Sequence, residues 1–333
     1  MTIKPKRPRD AAGGMTLKEG TGGIIAMCPC GDFLEIYKAD KTFRVLSPKG
    51  VDPDETNPNA PWVSSPVDDV GSSNPIVARI MLQSNQIIKG VRFSREVDEK
   101  RLIMQLHSCK EALIACEKMA VKVCSKIKML MDEVESQGVE TDNSGRGFNP
   151  FPHTPELDHD CGSFLVYVNR VIKLACELPM FFADLDRADS NFDHLASRLA
   201  DAFGEDAPVS KFVSENAGYI RHLIELRNYH EHPTETKRTT IDNFRLMPDG
   251  KSIRVPMWHV SGNEPKAIKE EMESIIPHLL EMVESMLVLL VMETFGGSIP
   301  YIVVAIPEDK IDPNCPIRYQ LSVDTSKLVF KDK

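Results

Sequence analysis

The 333 residues include 42% hydrophobic and 27% charged side chains, with 40 Lys+Arg against 49 Asp+Glu for a formal charge of −9. That apolar content supports a core without disulfide staples and excludes wholesale disorder; the acidic balance argues against a protein that coats duplex DNA through many Lys/Arg–phosphate contacts. At roughly 100–200 residues per domain, the length fits about two domains or one enlarged one.

Met1 to Gly23, with Lys4, Lys6, Arg7 and Arg9 among prolines, reads as a mobile basic tail with no secretory pattern. Ile24–Met27, Phe33–Tyr37 and Thr42–Leu46 read as three strands, being rich in β-branched and aromatic residues. Ser47 to Asn74 holds five prolines and reads as a long loop or linker. Pro75 to Ile88 reads as one helix, capped by Ser72 or Asn74. From Asp98 a stripe of Leu102, Leu106, Cys109, Leu113, Cys116, Ala120, Val123, Ile127, Leu130 and Val134 predicts a helix of more than thirty residues, stopped by Gly138. Gly138 to Pro155 is a loop. A second helix, Cys161 to Asp186, carries Leu165, Val168, Ile172, Ala175, Leu178 and Phe182, with a kink expected at Pro179. Ser190 to Phe203 is a shorter helix ending at Gly204. Ser210 caps a third long helix that Pro233 closes at His232. Phe244–Met247 and Ser252–Met257 flank Pro248-Asp249-Gly250 as a hairpin. The fourth long helix runs from Lys266 to Phe295, with a bend expected at Pro277. Ile299–Ile306, Ile317–Val323 and Leu328–Phe330 close the chain as strands.

The fold class is therefore mainly α, or α+β overall. The expected divisions are a basic tail (1–23), a small β-rich region with linker (24–97), a helical bundle (98–296) with a hairpin insertion (244–257), and a β extension (297–333). Met286 to Met292, the most apolar run, is too short to span a bilayer, which needs about 20 residues. It reads either as bundle core or as a homodimer seam. Eight cysteines without framework spacing point to free thiols in a reducing cytoplasm.

No P-loop, G-x-G-x-x-G, H-E-x-x-H or G-x-S-x-G is present. Cys28-Pro29-Cys30-Gly31 has the look of half a zinc knuckle, but its spacing fits a tight turn with two free thiols better. Cys109, Cys116 and Cys124 lie on or beside the apolar stripe and read as small hydrophobes. His153, His159, Asp160 and Cys161 cluster at the start of the second helix, as caps and solvated groups or as metal ligands; no metal or cofactor is assigned.

The informative segment is Glu225-Leu226-Arg227-Asn228-Tyr229-His230-Glu231-His232-Pro233. Arg227 and His232 are separated by four residues at the closing end of a bundle helix. The spacing recurs at Arg101/His107, Arg146/His153, Arg187/His194 and Arg254/His259, but only Arg227 is followed by a small polar residue, Asn228. This segment resembles the R-x(4–6)-H motif of HEPN domains, helical bundles of which many are metal-independent ribonucleases. The resemblance covers about residues 98–296, and the β-rich ends have no counterpart in it.

The resemblance implies endoribonuclease activity by attack of the RNA's own 2′-hydroxyl. His232 would be the acid–base group, Arg227 the phosphate stabiliser and Asn228 the orienter of His232. His230, Tyr229 and Arg221 would be substrate contacts. Asn228 and His232 share a helix face at i and i+4, whereas Arg227 lies about 140° from His232 on an ideal helix. A homodimer would bring two such helices into one cleft. The family also implies a toxin or antiviral defence effector, restrained by an inhibitory or triggering protein partner. The alternative is a non-catalytic binding or assembly protein, in which His232 caps its helix and Arg227 pairs with Glu231.

Overall fold

The computed structural model describes residues 7–11, 14–139, 147–148 and 150–327. In chain order the elements begin with β1 (Ala26–Cys30), β2 (Phe33–Tyr37) and β3 (Thr42–Leu46), then a short helix α1 (Pro48–Val51) and β4 (Val63–Asp68). Next come a π-helical stretch (Val77–Gln83) that runs into α2 (Ser84–Gly90), and the long α3 (Glu99–Gln137). α4 (Leu157–Glu177), α5 (Phe192–Phe203) and α6 (Pro208–Glu231) follow. Then come β5 (Thr239–Asp242), β6 (Arg245–Leu246), β7 (Ile253–Arg254), β8 (Met257–Val260), β9 (Lys266–Ala267), α7 (Ile268–Glu293), β10 (Tyr301–Ala305) and β11 (Tyr319–Val323). The chain is thus mixed α+β, with long helices and several small antiparallel sheets.

The helical periodicities translate well. α3 is 39 residues long, and Gly138 follows it at φ +73°, a left-handed conformation that glycine adopts without Cβ strain. Its stripe from Leu102 through Ile127 is buried. Three helix expectations need correction. Pro179 does not kink a helix running to Asp186: the α-helix ends at Glu177, and Leu178–Phe181 is a 3-10 turn. Proline lacks the amide hydrogen needed to continue the ladder. Ser210 does not cap α6; Ala207 stands at the cap, Pro208 occupies the first turn, and Ser210 Oγ is buried without a hydrogen bond among the described residues. Lys266 and Ala267 form a strand rather than the start of α7.

The chain divides into two compact units. The first comprises Met1–Lys110, Leu178–Ala183 and Glu284–Lys333, and the second Glu111–Glu177 and Asp184–Val283. This division cuts across the expected 98–296 bundle, because α3 and α7 are each longer than the part that either unit holds.

In the first unit β1 to β4 form one antiparallel sheet in sequence order. β4 lies inside the expected linker Ser47–Asn74. Its Pro66 pairs opposite Phe43 on the sheet's edge strand, where a missing amide donor is tolerated. Ile36, Phe43 and Val45 pack on one face with Leu17 and Leu34. The expected mobile tail is anchored in its described part. Arg9 is buried, and its guanidinium donates to Asp52 Oδ2 at 2.8 Å and to the carbonyls of Pro48, Asp52 and Asn57. β10 and β11 pair antiparallel, and β11 packs on α2. Gln83 Oε1 accepts from the Arg318 and Tyr319 amides, while Gln83 Nε2 donates to Glu284. Leu328–Phe330 lies outside the described residues.

Met286, Leu287, Val288, Leu290 and Val291 are buried within the chain, as the bundle-core reading expects, while Met292 at the end of the run is exposed. Its seven residues also understate the helix. α7 contains an 18-residue window of mean hydropathy 1.9, of which 61% is buried.

In the second unit α6 packs against α4 and α5, and its buried row is Val209, Val213, Ala217, Ile220, Leu223 and Leu226. β5, β8 and β9 make a three-stranded sheet with β8 in the centre, and β5 and β8 pack on α6. The expected hairpin is present only as the two-residue strands β6 and β7; Met257 belongs instead to β8. Trp258 of β8 is buried and donates to the Glu271 carboxylate, which also accepts from Lys266 Nζ at 2.7 Å.

Candidate functional site

The closing turn of α6 is where the helix, the following turn and β5 meet. The last helical bond runs from the His232 amide to the Asn228 carbonyl at 2.7 Å. His232 then leaves helical geometry at φ −131°, ψ 65°. Pro233 disfavours helical backbone in the residue before it, which accounts for the break at this position. Thr239 Oγ1 donates to the Leu226 carbonyl at 2.7 Å and ties β5 to this end of the helix. The 234–237 turn closes on itself through Thr234 and Lys237, and the Lys237 ammonium sits 5.2 Å from the centre of the Tyr229 ring.

Departure from helical geometry changes the relation between Arg227 and His232. On an ideal helix the two diverge. Here both address the same atom, Oε2 of Glu231. Arg227 Nη2 is ion-paired with it, and His232 Nε2 lies 4.0 Å from it. The side chains of Arg227 and Glu231 are 23% and 30% exposed, while His232 is 76% exposed and open to solvent. Arg227 Nε is buried and carries no hydrogen bond among the described residues. One Glu231 oxygen is thus paired with the guanidinium, and the imidazole lies 4.0 Å from it, beyond hydrogen-bond reach.

Asn228 does not orient His232. Its side-chain oxygen accepts from Arg227 Nη1 at 3.1 Å, so the residue positions the guanidinium instead. Arg221 is not part of the cluster; its guanidinium is held by Asp193. Of the three expected substrate contacts, Tyr229 lies under Lys237, and His230 turns toward α4. Positive charge around the motif is largely neutralised by pairs such as Arg221–Asp193 and Arg227–Glu231.

His230 rests on Gly162, in the second turn of α4. A Cβ at position 162 would lie 2.5 Å from His230 Cε1, so any larger residue would force the ring to shift. Asp158, one turn earlier on the same face, places Oδ1 3.5 Å from His230 Nε2. Asp160 faces elsewhere: it is buried and accepts from Lys122 Nζ at 2.6 Å and Lys126 Nζ at 3.0 Å. The Asp160 carboxyl is pushed up by burial, yet these two lysines hold it below its ordinary value. Asp160 is therefore a strut between helices, and its neighbour Cys161 is buried with its thiol pushed up by burial.

A second polar cluster, unannounced by any motif, sits in the first unit. Glu35 of β2 is completely buried, as is Tyr37 two residues on. The Glu35 carboxylate accepts from the Tyr37 hydroxyl, from Lys110 Nζ at 2.7 Å, from Arg44 Nη2 at 3.1 Å and from His107 Nε2 at 2.9 Å. Burial alone would push the carboxyl up. The hydrogen bond from His107 and the charge of Lys110 outweigh burial and hold it far below its ordinary 4.5. Burial raises the Tyr37 hydroxyl well above its usual range. The sequence signal was slight: His107 and Lys110 sit at i and i+3 beside the buried Leu106 and Cys109, an unusual place for charge.

Cys28 and Cys30 end β1 just before the Gly31-Asp32 turn, buried and unpaired. Asn85 Nδ2 donates to Cys28 Sγ at 3.4 Å. Burial pushes both thiols up, Cys30 to about 12, so they are neutral thiols rather than thiolates.

No family model, curated protein or solved structure matches this chain.

Proposed function

We propose that the chain is a HEPN-type, metal-independent endoribonuclease, with Arg227 and His232 as its working groups. The observation that carries this reading is their convergence on one carboxylate oxygen, Glu231 Oε2. A phosphodiester oxygen brings the same charge to the same two donors. Arg227 would pair with the phosphate and stabilise the added charge of the pentacoordinate transition state. His232, exposed at a helix terminus, would exchange the proton.

In the reaction the 2′-oxygen bonds to phosphorus as its proton passes to a base. The bond from phosphorus to the 5′-oxygen breaks, and that oxygen takes up a proton. One His232 serves one of these two transfers, and a second copy of the chain in a homodimer would supply the other. DNA, which lacks the 2′-hydroxyl, would be left intact. Eight free cysteines suit a reducing cytoplasm. A toxin or defence role, with a protein inhibitor or trigger, follows from the same family reading.

The test is cleavage of a mixed RNA pool in excess EDTA by wild type, Arg227→Ala and His232→Ala. Cleavage by wild type, lost in both variants with their circular dichroism and oligomeric state intact, supports the reading. Equal cleavage by wild type and His232→Ala overturns it. A non-catalytic binding protein on the same helices is the second reading, favoured by the ion pair that already occupies Arg227; it predicts RNA or protein binding without cleavage.

A further inference from the structure

Glu231 has no place in the proposed reaction, yet it pairs with Arg227 and lies 4.0 Å from His232 Nε2. We infer that its carboxylate is an internal stand-in for the phosphate, occupying the anion position and restraining the site until RNA displaces it. The inference rests on the reading of Arg227 and His232 as phosphate-binding groups.

Three observations carry it. The atom that Arg227 pairs with is the same atom that His232 faces at 4.0 Å, so one oxygen lies at the focus of both. The Arg227 guanidinium has spare capacity at its two terminal nitrogens: each carries two hydrogens, and among the described residues Nη1 meets Asn228 and Nη2 meets Glu231. A phosphate with several acceptor oxygens can engage donors that one carboxylate oxygen leaves unused. Finally, the Arg227–Glu231 pair is partly exposed, with side chains 23% and 30% accessible. Exposed i,i+4 ion pairs hold weakly, so an incoming anion can replace the carboxylate without disturbing the fold.

The contrast with the buried acids is informative. Asp160 and Glu35 also meet cations, but they are enclosed and cannot be exchanged for a ligand. Glu231 stands at the surface as the last residue of α6, where its side chain can swing away as substrate enters. The restraint is electrostatic as well as steric. A carboxylate beside an incoming phosphate is a like-charge neighbour, which costs binding energy until the two separate.

Glu231→Gln keeps the shape and removes the charge, so it is the variant of choice. Binding is read by fluorescence anisotropy with randomised 2′-O-methyl oligoribonucleotides, which cannot undergo 2′-hydroxyl attack. Cleavage is read with the unmodified pool in EDTA. The inference predicts that Glu231→Gln binds the 2′-O-methyl probe about tenfold more tightly than wild type, and that adding Arg227→Ala abolishes the gain. Cleavage should rise in parallel. Tighter binding without cleavage by any form would uphold the inference and sink the ribonuclease reading. Cleavage by wild type with unchanged probe affinity in Glu231→Gln would overturn the inference and leave the ribonuclease reading standing. A Glu231→Gln variant as inactive as His232→Ala would also overturn it, because Glu231 would then be needed for the reaction.

Discussion

Glu35 and Glu231 each meet a histidine and a cation, and their surroundings differ. In the first unit Glu35 is fully buried, and its two oxygens accept from Tyr37, His107, Lys110 and Arg44. In the second unit Glu231 is partly exposed, pairs with Arg227, and leaves His232 4.0 Å away with most of its ring in water. Removing a partner from a buried ion cluster strands a charge where water cannot reach it. Removing one from an exposed cluster exchanges a weak contact for hydration. The first arrangement fixes a fold, and the second leaves groups free to act on something that arrives from outside.

The largest effect that would test this contrast is Lys110→Met. It keeps the bulk of the side chain but leaves Glu35 short of its main compensating charge, and should destabilise the protein by about 3–5 kcal/mol in urea unfolding. A loss below about 1 kcal/mol would mean that the cluster is not the anchor described. Its acid sensitivity comes next. Glu35 is held far below its ordinary 4.5, so its contribution to stability is complete above that value. That contribution is lost as the pH falls below 4.5 toward the native value. Unfolding midpoints measured down the acid range should therefore decline, and Glu35→Gln should flatten that decline.

A smaller effect concerns Gly162. In the wild type, Gly162→Ala should destabilise by about 1 kcal/mol, because the added methyl meets the His230 ring. In a His230→Ala background the same change should stabilise by about 1 kcal/mol, since alanine is the better helix residue once the ring is gone. Absence of that reversal would show that the glycine is not shaped to the histidine. Arg227→Ala, at the exposed cluster, should change stability least, by about 0–1 kcal/mol.

Much of the fold was legible because long helices repeat their apolar residues. The α3 stripe, the Gly138 stop and the α5 end at Gly204 all follow from spacing alone. β4 was not legible, because Pro66 inside a proline-rich stretch disguises an edge strand. The Glu35 cluster was illegible for a different reason: its members come from β2, β3 and the first turns of α3, and no local spacing joins residues 35, 44, 107 and 110. At the candidate site, sequence placed Arg227 and His232 at a helix end and offered Glu231 as a partner for Arg227. It also aimed Asn228 at His232 and included Arg221, both of which depend on side-chain directions that neighbours decide. Asn228 turns to Arg227, and Asp193 of α5 captures Arg221.

The most direct test of the exposed cluster's chemistry is the end group left on RNA by the wild-type protein in EDTA. The account predicts 2′,3′-cyclic phosphate and 5′-hydroxyl ends, produced by wild type and absent with a His232→Ala variant of unchanged unfolding midpoint. Products ending in 3′-hydroxyl and 5′-phosphate, or identical products from the His232→Ala variant, would contradict it.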